Sequence, residues 1–152
     1  MSETPSTHTL HVERTIKAPP ERVFNAWLDA DLAARWFGPS DDHPCTEIEI
    51  DARVGGRYRF AFAPEDGGDQ PAVVTGEYLV IDRHTLLVYT WSWATPGWSG
   101  RDSEVRIDFV PEGDATRIKL THSGLLDDEA LRAHRQGWDG AFDRLEREAP
   151  GF

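Results

Sequence analysis

"LLDDEALRAHRQGWDGAFDRLERE", residues 125–148, is the stretch on which the fold turns. Leu131, His134, Trp138, Ala141 or Phe142, and Leu145 recur at steps of three and four, a continuous stripe along one face of a helix. Asp127 or Asp128 suits its N-cap, and the helix should end near Pro150. Gly137 and Gly140 flank Trp138, and each weakens a helix interior by roughly 1 kcal/mol relative to alanine. A helix that accepts that cost gains close approach to something, so the pair predicts tight docking on a partner element.

The partner is written upstream in period two. "LHVERTIKA" places Leu10, Val12 and Ile16 on one parity, the mark of a first strand. "APPERVFNAWL" then reads as a short helix, and Asp29 caps a second, "ADLAARWF", which stops before Gly38. From Cys45 the alternation returns in "CTEIEIDA", "RYRFAF", "VVTGEYLVID", "LLVYTWSW", "SEVRIDFV" and "TRIKLTHSG", joined by short polar turns or loops. The predicted order is strand, two short helices, six strands and one long helix. Short connections make the strands an antiparallel meander, and the only large element left to cover its buried face is the last helix. The fold class is α+β. A strongly twisted sheet around one helix leaves a space between them unless side chains fill it.

Parity tells which residues face that space. Ile118 and Leu120 point inward and carry His122 with them; Val105, Ile107 and Phe109 share the inner face of the preceding strand. Leu87, Tyr89, Trp91 and Trp93 form the inner set on "LLVYTWSW". On "TGEYLVID" two choices stand: Leu79 and Ile81 inward would bring Glu77 inside, whereas Tyr78 and Val80 inward would not. Arg14 also falls on inner parity and would need a carboxylate partner if buried. An aromatic wall with few convergent polar groups is the character of a small-molecule site, whose usual volume is ~300–1,000 Å³. Trp138 and His134 would roof it. Packing alone also accounts for such stripes, and an inward histidine is commonly a hydrogen-bonded core residue.

Composition narrows the partners. A formal net charge of −11 repels nucleic-acid phosphates and anionic membranes. The single cysteine, Cys45, excludes an internal disulfide and disfavours a thiolate metal site, consistent with a cytoplasmic protein. No apolar run is long enough to span a bilayer, and the opening residues lack a secretory h-region. Residues 1–7 are expected to be disordered, and 8–152 to form one domain. No zinc-protease, phosphate-loop, dinucleotide or nucleophile-elbow motif occurs, so neither a metal nor a cofactor is expected. Glu77 with His122 would make an acid–base pair if they touch. Trp98, in "ATPGWSGRD", reads as an exposed loop aromatic and a candidate interface, lid or lone surface ring.

The combination of "ERTIKAPPERVFNAWLDADLAARWFGP", "DARVGGRYRF", "GEYLVIDRHTLLVYTWSW", "DSEVRIDFVPEGDATRIKLTHSGL" and "HRQGWDGAFDRLE" resembles the activator-of-heat-shock-protein-90-ATPase homologue family. That family lies within the START and birch-pollen-allergen-like (SRPBCC) superfamily, and the likeness, to bacterial-type single-domain members, spans nearly the whole chain. It implies a helix-grip fold, a curved seven-stranded antiparallel sheet wrapped around the C-terminal helix, with two short helices closing one end. Similar proteins hold lipids, sterols, polyketides or flavonoids between sheet and helix. On the matching positions the pocket would draw on Trp36, Phe37, Phe60, Tyr89, Trp91, His122, His134 and Trp138; Val105 and Glu77 join from parity. Non-catalytic binding of a hydrophobic or aromatic small molecule is the leading expectation, in a monomer or homodimer. The alternatives are a polyketide cyclase- or hydratase-like enzyme using His122 and Glu77, and a chaperone-binding module.

Overall fold

Alternation of apolar and polar residues underlies the seven strands. The computed structural model describes residues 8–38, 45–63, 71–94, 103–125 and 127–152. In chain order they form β1 (His8–Ile16), α1 (Pro20–Leu28), α2 (Ala30–Trp36), β2 (Cys45–Ile50), β3 (Arg57–Phe62) and β4 (Ala72–Asp82). Then follow β5 (Leu86–Trp93), β6 (Ser103–Glu112), β7 (Ala115–Leu125) and α3 (Asp128–Glu148). Trp98 lies outside the described residues.

All seven strands join one curved sheet in the order β1-β7-β6-β5-β4-β3-β2, antiparallel throughout. The first two strands are thus its two edges, and α1 with α2 bridges from one to the other. Pro20 opens α1, where its missing N–H is no loss. The Asp29 carboxylate accepts from the Asp31 and Leu32 backbone N–H groups at 2.9 and 3.2 Å, capping α2 as expected. Asp127 caps α3 by accepting from the Ala130 N–H at 2.8 Å. Gly55, at φ +86°, makes the turn into β3 in a conformation that L side chains rarely adopt. The architecture is the helix-grip fold.

The inner face is the predicted one. Thr116, Ile118, Leu120 and His122 point in from β7, and Val105, Ile107 and Phe109 from β6, all buried. Helix α3 presses Trp138, Ala141, Phe142 and Leu145 onto this face. Gly137 and Gly140 are half-buried on either side of Trp138. Arg14 does find carboxylates: Asp143 at 2.8 Å, Glu146 at 3.1 Å and Asp139 at 3.5 Å, all from α3, which ties β1 to the helix along their shared seam.

On β4 the outcome is neither of the two expected registers. Val74, Gly76 and Tyr78 point inward, and the pairing with β5 shifts between Tyr78 and Val80. The bulge resets parity, so that Tyr78 and Ile81 both reach the core. Glu77 therefore stands on the outer face, in register with Arg57. It does not join the interior, and the Glu77–His122 acid–base pair is not assembled.

Candidate functional site

Among the described residues, two interior clusters of polar and aromatic side chains hold most of the predicted site residues. The first is the end of the sheet where β5, β6 and β7 meet the start of α3. Here the rings of Trp91, Trp93, His122, His134 and Trp138 touch one another, with His122 and His134 only 5.0 Å apart between centroids and near-perpendicular. Strand register explains the grouping: Val105 sits opposite Tyr89 on one side and His122 on the other, and Trp91 opposite Ser103.

Hydrogen bonds fix the state of both imidazoles. An indole nitrogen can only donate. Trp138 donates to His122 Nδ1 at 3.1 Å, so that nitrogen is bare and the proton of the neutral ring is on Nε2. Nε2–H then donates to Ser103 Oγ at 2.8 Å, and the Ser103 hydroxyl donates to the Trp91 carbonyl at 3.0 Å. At His134 the roles reverse. Trp93 donates to Nε2 at 2.9 Å, leaving Nδ1–H to donate to the Ala130 carbonyl at 2.8 Å. Burial drives the His122 pKa well below the ordinary 6.5, and the neighbouring His134 pushes it the same way. His134 is lowered by burial too, against a smaller upward pull from its bond to Ala130. Both rings are neutral acceptors for indole N–H groups.

This arrangement bears on chemistry. With Nε2 protonated, His122 cannot take the Ser103 proton, so their contact is not a nucleophile–base pair. Among the described residues no three His, Cys, Asp or Glu side chains converge as a metal site, and no helix is long and apolar enough to cross a membrane. The lone thiol, Cys45, is half-buried, and desolvation pushes its pKa up to about 11, away from a reactive thiolate.

The second place lies under α1. Trp27, Tyr58, Phe60, Tyr78 and Tyr89 line a void of about 10 Å³. The Tyr58 hydroxyl donates to the Thr90 carbonyl at 2.6 Å. Gly76 makes this approach possible, because a Cβ there would collide with the Thr90 carbonyl oxygen and the Tyr58 ring. The Tyr89 hydroxyl and the Trp27 indole N–H are buried with no hydrogen-bond partner.

Phe37 and Phe60 stand between the two places. Phe37 packs on Phe60 at 4.6 Å and reaches Trp138 at 5.8 Å and Trp91 at 6.2 Å. Trp36 belongs to the helical core instead: its N–H is taken by the Ala26 carbonyl at 3.0 Å, and it packs against Trp27 and Phe142. The structure thus brings together Trp91, His122, His134 and Trp138, adds Trp93 and Ser103 to them, and places Tyr89 and Phe60 at the other pole. Trp27, Tyr58 and Tyr78 were not among the expected site residues, although a glycine inside a strand is a signal of close approach.

The expected ligand-sized hollow is not open at the histidine end. Side chains lining such a space would keep accessible surface, whereas Trp91 keeps 5%, Trp138 4% and His122 none. The rings interlock.

Residues 17–149 match the family described as activator of Hsp90 ATPase homolog 1-like protein. No curated protein gives a significant match. Among solved structures, a protein from Chromobacterium violaceum is 27% identical, covering 92% of this chain and 96% of its own, with a TM-score of 0.81. An AHSA1-like protein from Aeromonas hydrophila is 30% identical over 95% of this chain and 94% of that one, with a TM-score of 0.73. A protein from Rhizobium leguminosarum is 25% identical over 97% of each chain, with a TM-score of 0.81.

Proposed function

This chain belongs to the activator of Hsp90 ATPase homologue 1-like family, and from that premise we propose that its sheet–helix interior binds a flat hydrophobic or aromatic small molecule without transforming it. The observation that carries the reading is Trp91. Its indole N–H is buried and unpartnered amid rings whose other polar nitrogens are matched donor to acceptor. A buried donor without a partner costs about 1–3 kcal/mol. A ligand acceptor supplied to Trp91 recovers that cost, and the surrounding indoles and Phe37 supply stacking surface.

Because the rings interlock, binding couples to their parting. Association is then slower than simple docking into an open cleft. The small-molecule reading is favoured over an acid–base enzyme because Glu77 faces outward and the basic nitrogen of His122 is occupied by Trp138.

The test is a titration of indole-labelled protein with a library of apolar and aromatic compounds, followed by NMR. The Trp91 N–H resonance is expected to move most, with smaller shifts at Trp138 and His122. No perturbation at any of the three across the library overturns the reading. Native mass spectrometry of freshly purified protein gives the stoichiometry of whatever is carried along.

A further inference from the structure

The void under α1 has the features of a built site. Its wall is aromatic, yet two of its polar atoms, Trp27 Nε1 and Tyr89 Oη, are buried without partners. Buried polar atoms are nearly always satisfied in folded proteins. The two sit near one another: burial pushes the Tyr89 pKa up, and the Trp27 N–H pulls against it by a smaller amount. Their direct contact nonetheless falls outside hydrogen-bond geometry. Tyr58 adds a third group, since its hydroxyl donates to Thr90 and keeps its lone pairs free to accept. A void of about 10 Å³ is at the size of a single oxygen centre, and such a centre needs two to four polar neighbours.

We propose that Trp27, Tyr89 and Tyr58 form a site for one neutral hydroxyl-type oxygen, accepting from the Trp27 N–H and exchanging hydrogen bonds with the two phenols. Two sources share that chemistry. One is a resident water. The other is the hydroxyl of the small molecule bound in the interior, and this source rests on the function proposed above. Phe60 borders the void and packs on Phe37, which reaches the Trp91–Trp138 cluster, so an elongated ligand lying along Phe37 and Phe60 would present its hydroxyl here. The site selects for a phenol or alcohol over a hydrocarbon. It excludes a carboxylate, whose charge would be desolvated there with no cation among the lining residues.

Two measurements on the full chain separate the sources. A high-resolution crystal structure should show one ordered oxygen at hydrogen-bonding distance from both Trp27 Nε1 and Tyr89 Oη. Binding of 2-naphthol and of naphthalene should differ by about tenfold in favour of the naphthol, the size of one satisfied hydrogen bond. The preference should vanish in Tyr89→Phe, with Trp27→Phe as the second variant. An ordered oxygen with naphthol and naphthalene bound equally, or not bound at all, assigns the site to water alone. If neither probe binds, the ligand-binding reading fails while the oxygen site stands. Equal binding of the two probes with no ordered oxygen overturns the site and leaves the ligand-binding reading standing. Direct Trp27–Tyr89 hydrogen bonding with no oxygen between them also overturns it.

Discussion

The two poles of the interior use the same kinds of ring and balance their polar atoms differently. At the histidine pole, Trp138 and Trp93 each give an N–H to an imidazole, and both imidazoles and Ser103 donate in turn to further acceptors. Only Trp91 among those indoles is left over. At the tyrosine pole one phenol is satisfied by a backbone carbonyl, while Tyr89 and Trp27 are not. A matched network holds one arrangement of side chains, because rotating either imidazole breaks two bonds. Unmatched groups around a small void are where a further molecule can lower the energy. The histidine pole locks this fold, and the tyrosine pole keeps polar groups to spare.

The largest effect should come from removing a ring of the lock. Trp138→Ala deletes a closely packed indole and strips His122 Nδ1 of its donor, so unfolding free energy should fall by about 4 kcal/mol. Urea denaturation checks it. A loss under about 1 kcal/mol, no more than an average point substitution, would show that the network is ornamental and dissolve the contrast between the poles.

Gly76→Ala attacks the other pole through the backbone. The new methyl would occupy the space of the Thr90 carbonyl and the Tyr58 ring, forcing the β4–β5 ladder apart. A cost of about 3 kcal/mol is expected, at the upper end for overpacking. A variant of unchanged midpoint would mean that Tyr58 can swing away freely, and that the pole is softer than its packing implies.

Acid and base should break the molecule at opposite ends. The folded pKa values of His122 and His134 lie below the ordinary 6.5, so the unfolded chain takes up protons that the folded one refuses. Stability is therefore full above about 6.5 and falls as pH drops below it, with a slope of at most about 2.7 kcal/mol per pH unit for two sites. Tyr58, Tyr78 and Tyr89 are raised above the ordinary 10.0, chiefly by burial. There the unfolded chain loses protons first, so stability falls as pH rises past about 10. Urea midpoints between about pH 5 and 7.5, the range that brackets an ordinary imidazole, should show the acid limb shrink in His122→Gln relative to the parent. An unaltered acid limb would place the titrating groups elsewhere.

How much of this was written in the sequence depends on whether alternation ran unbroken. On β7, Ile118, Leu120 and His122 obey one parity, and the inward histidine was readable from it. On β4 the bulge after Tyr78 broke the rule, because a register shift leaves no mark in the order of apolar residues. Glu77 was misplaced as a candidate for that reason. The pairing of Trp138 with His122 and of Trp93 with His134 could not be read either: it joins strand to helix through side-chain rotamers and tautomers, which spacing does not encode. At the tyrosine pole, Phe60 and Tyr89 were legible as inward aromatics, and Gly76, inside a strand, is a further mark of close approach there.

The smallest effect is also the most discriminating. Trp91 and Trp138 are neighbouring indoles of nearly equal burial, 5% and 4% exposed, and differ in that one N–H is orphaned and the other bound to His122. Replacing each by phenylalanine removes the N–H and some ring volume from both. For Trp138→Phe the lost volume adds to a lost hydrogen bond and an unpaired His122 nitrogen, for a total of about 2 kcal/mol. For Trp91→Phe, relief of the buried donor offsets the volume, and the net change should stay within about 1 kcal/mol. Equal losses in the two variants would mean that Trp91 is satisfied in solution, and the donor on which ligand binding was argued would no longer be available.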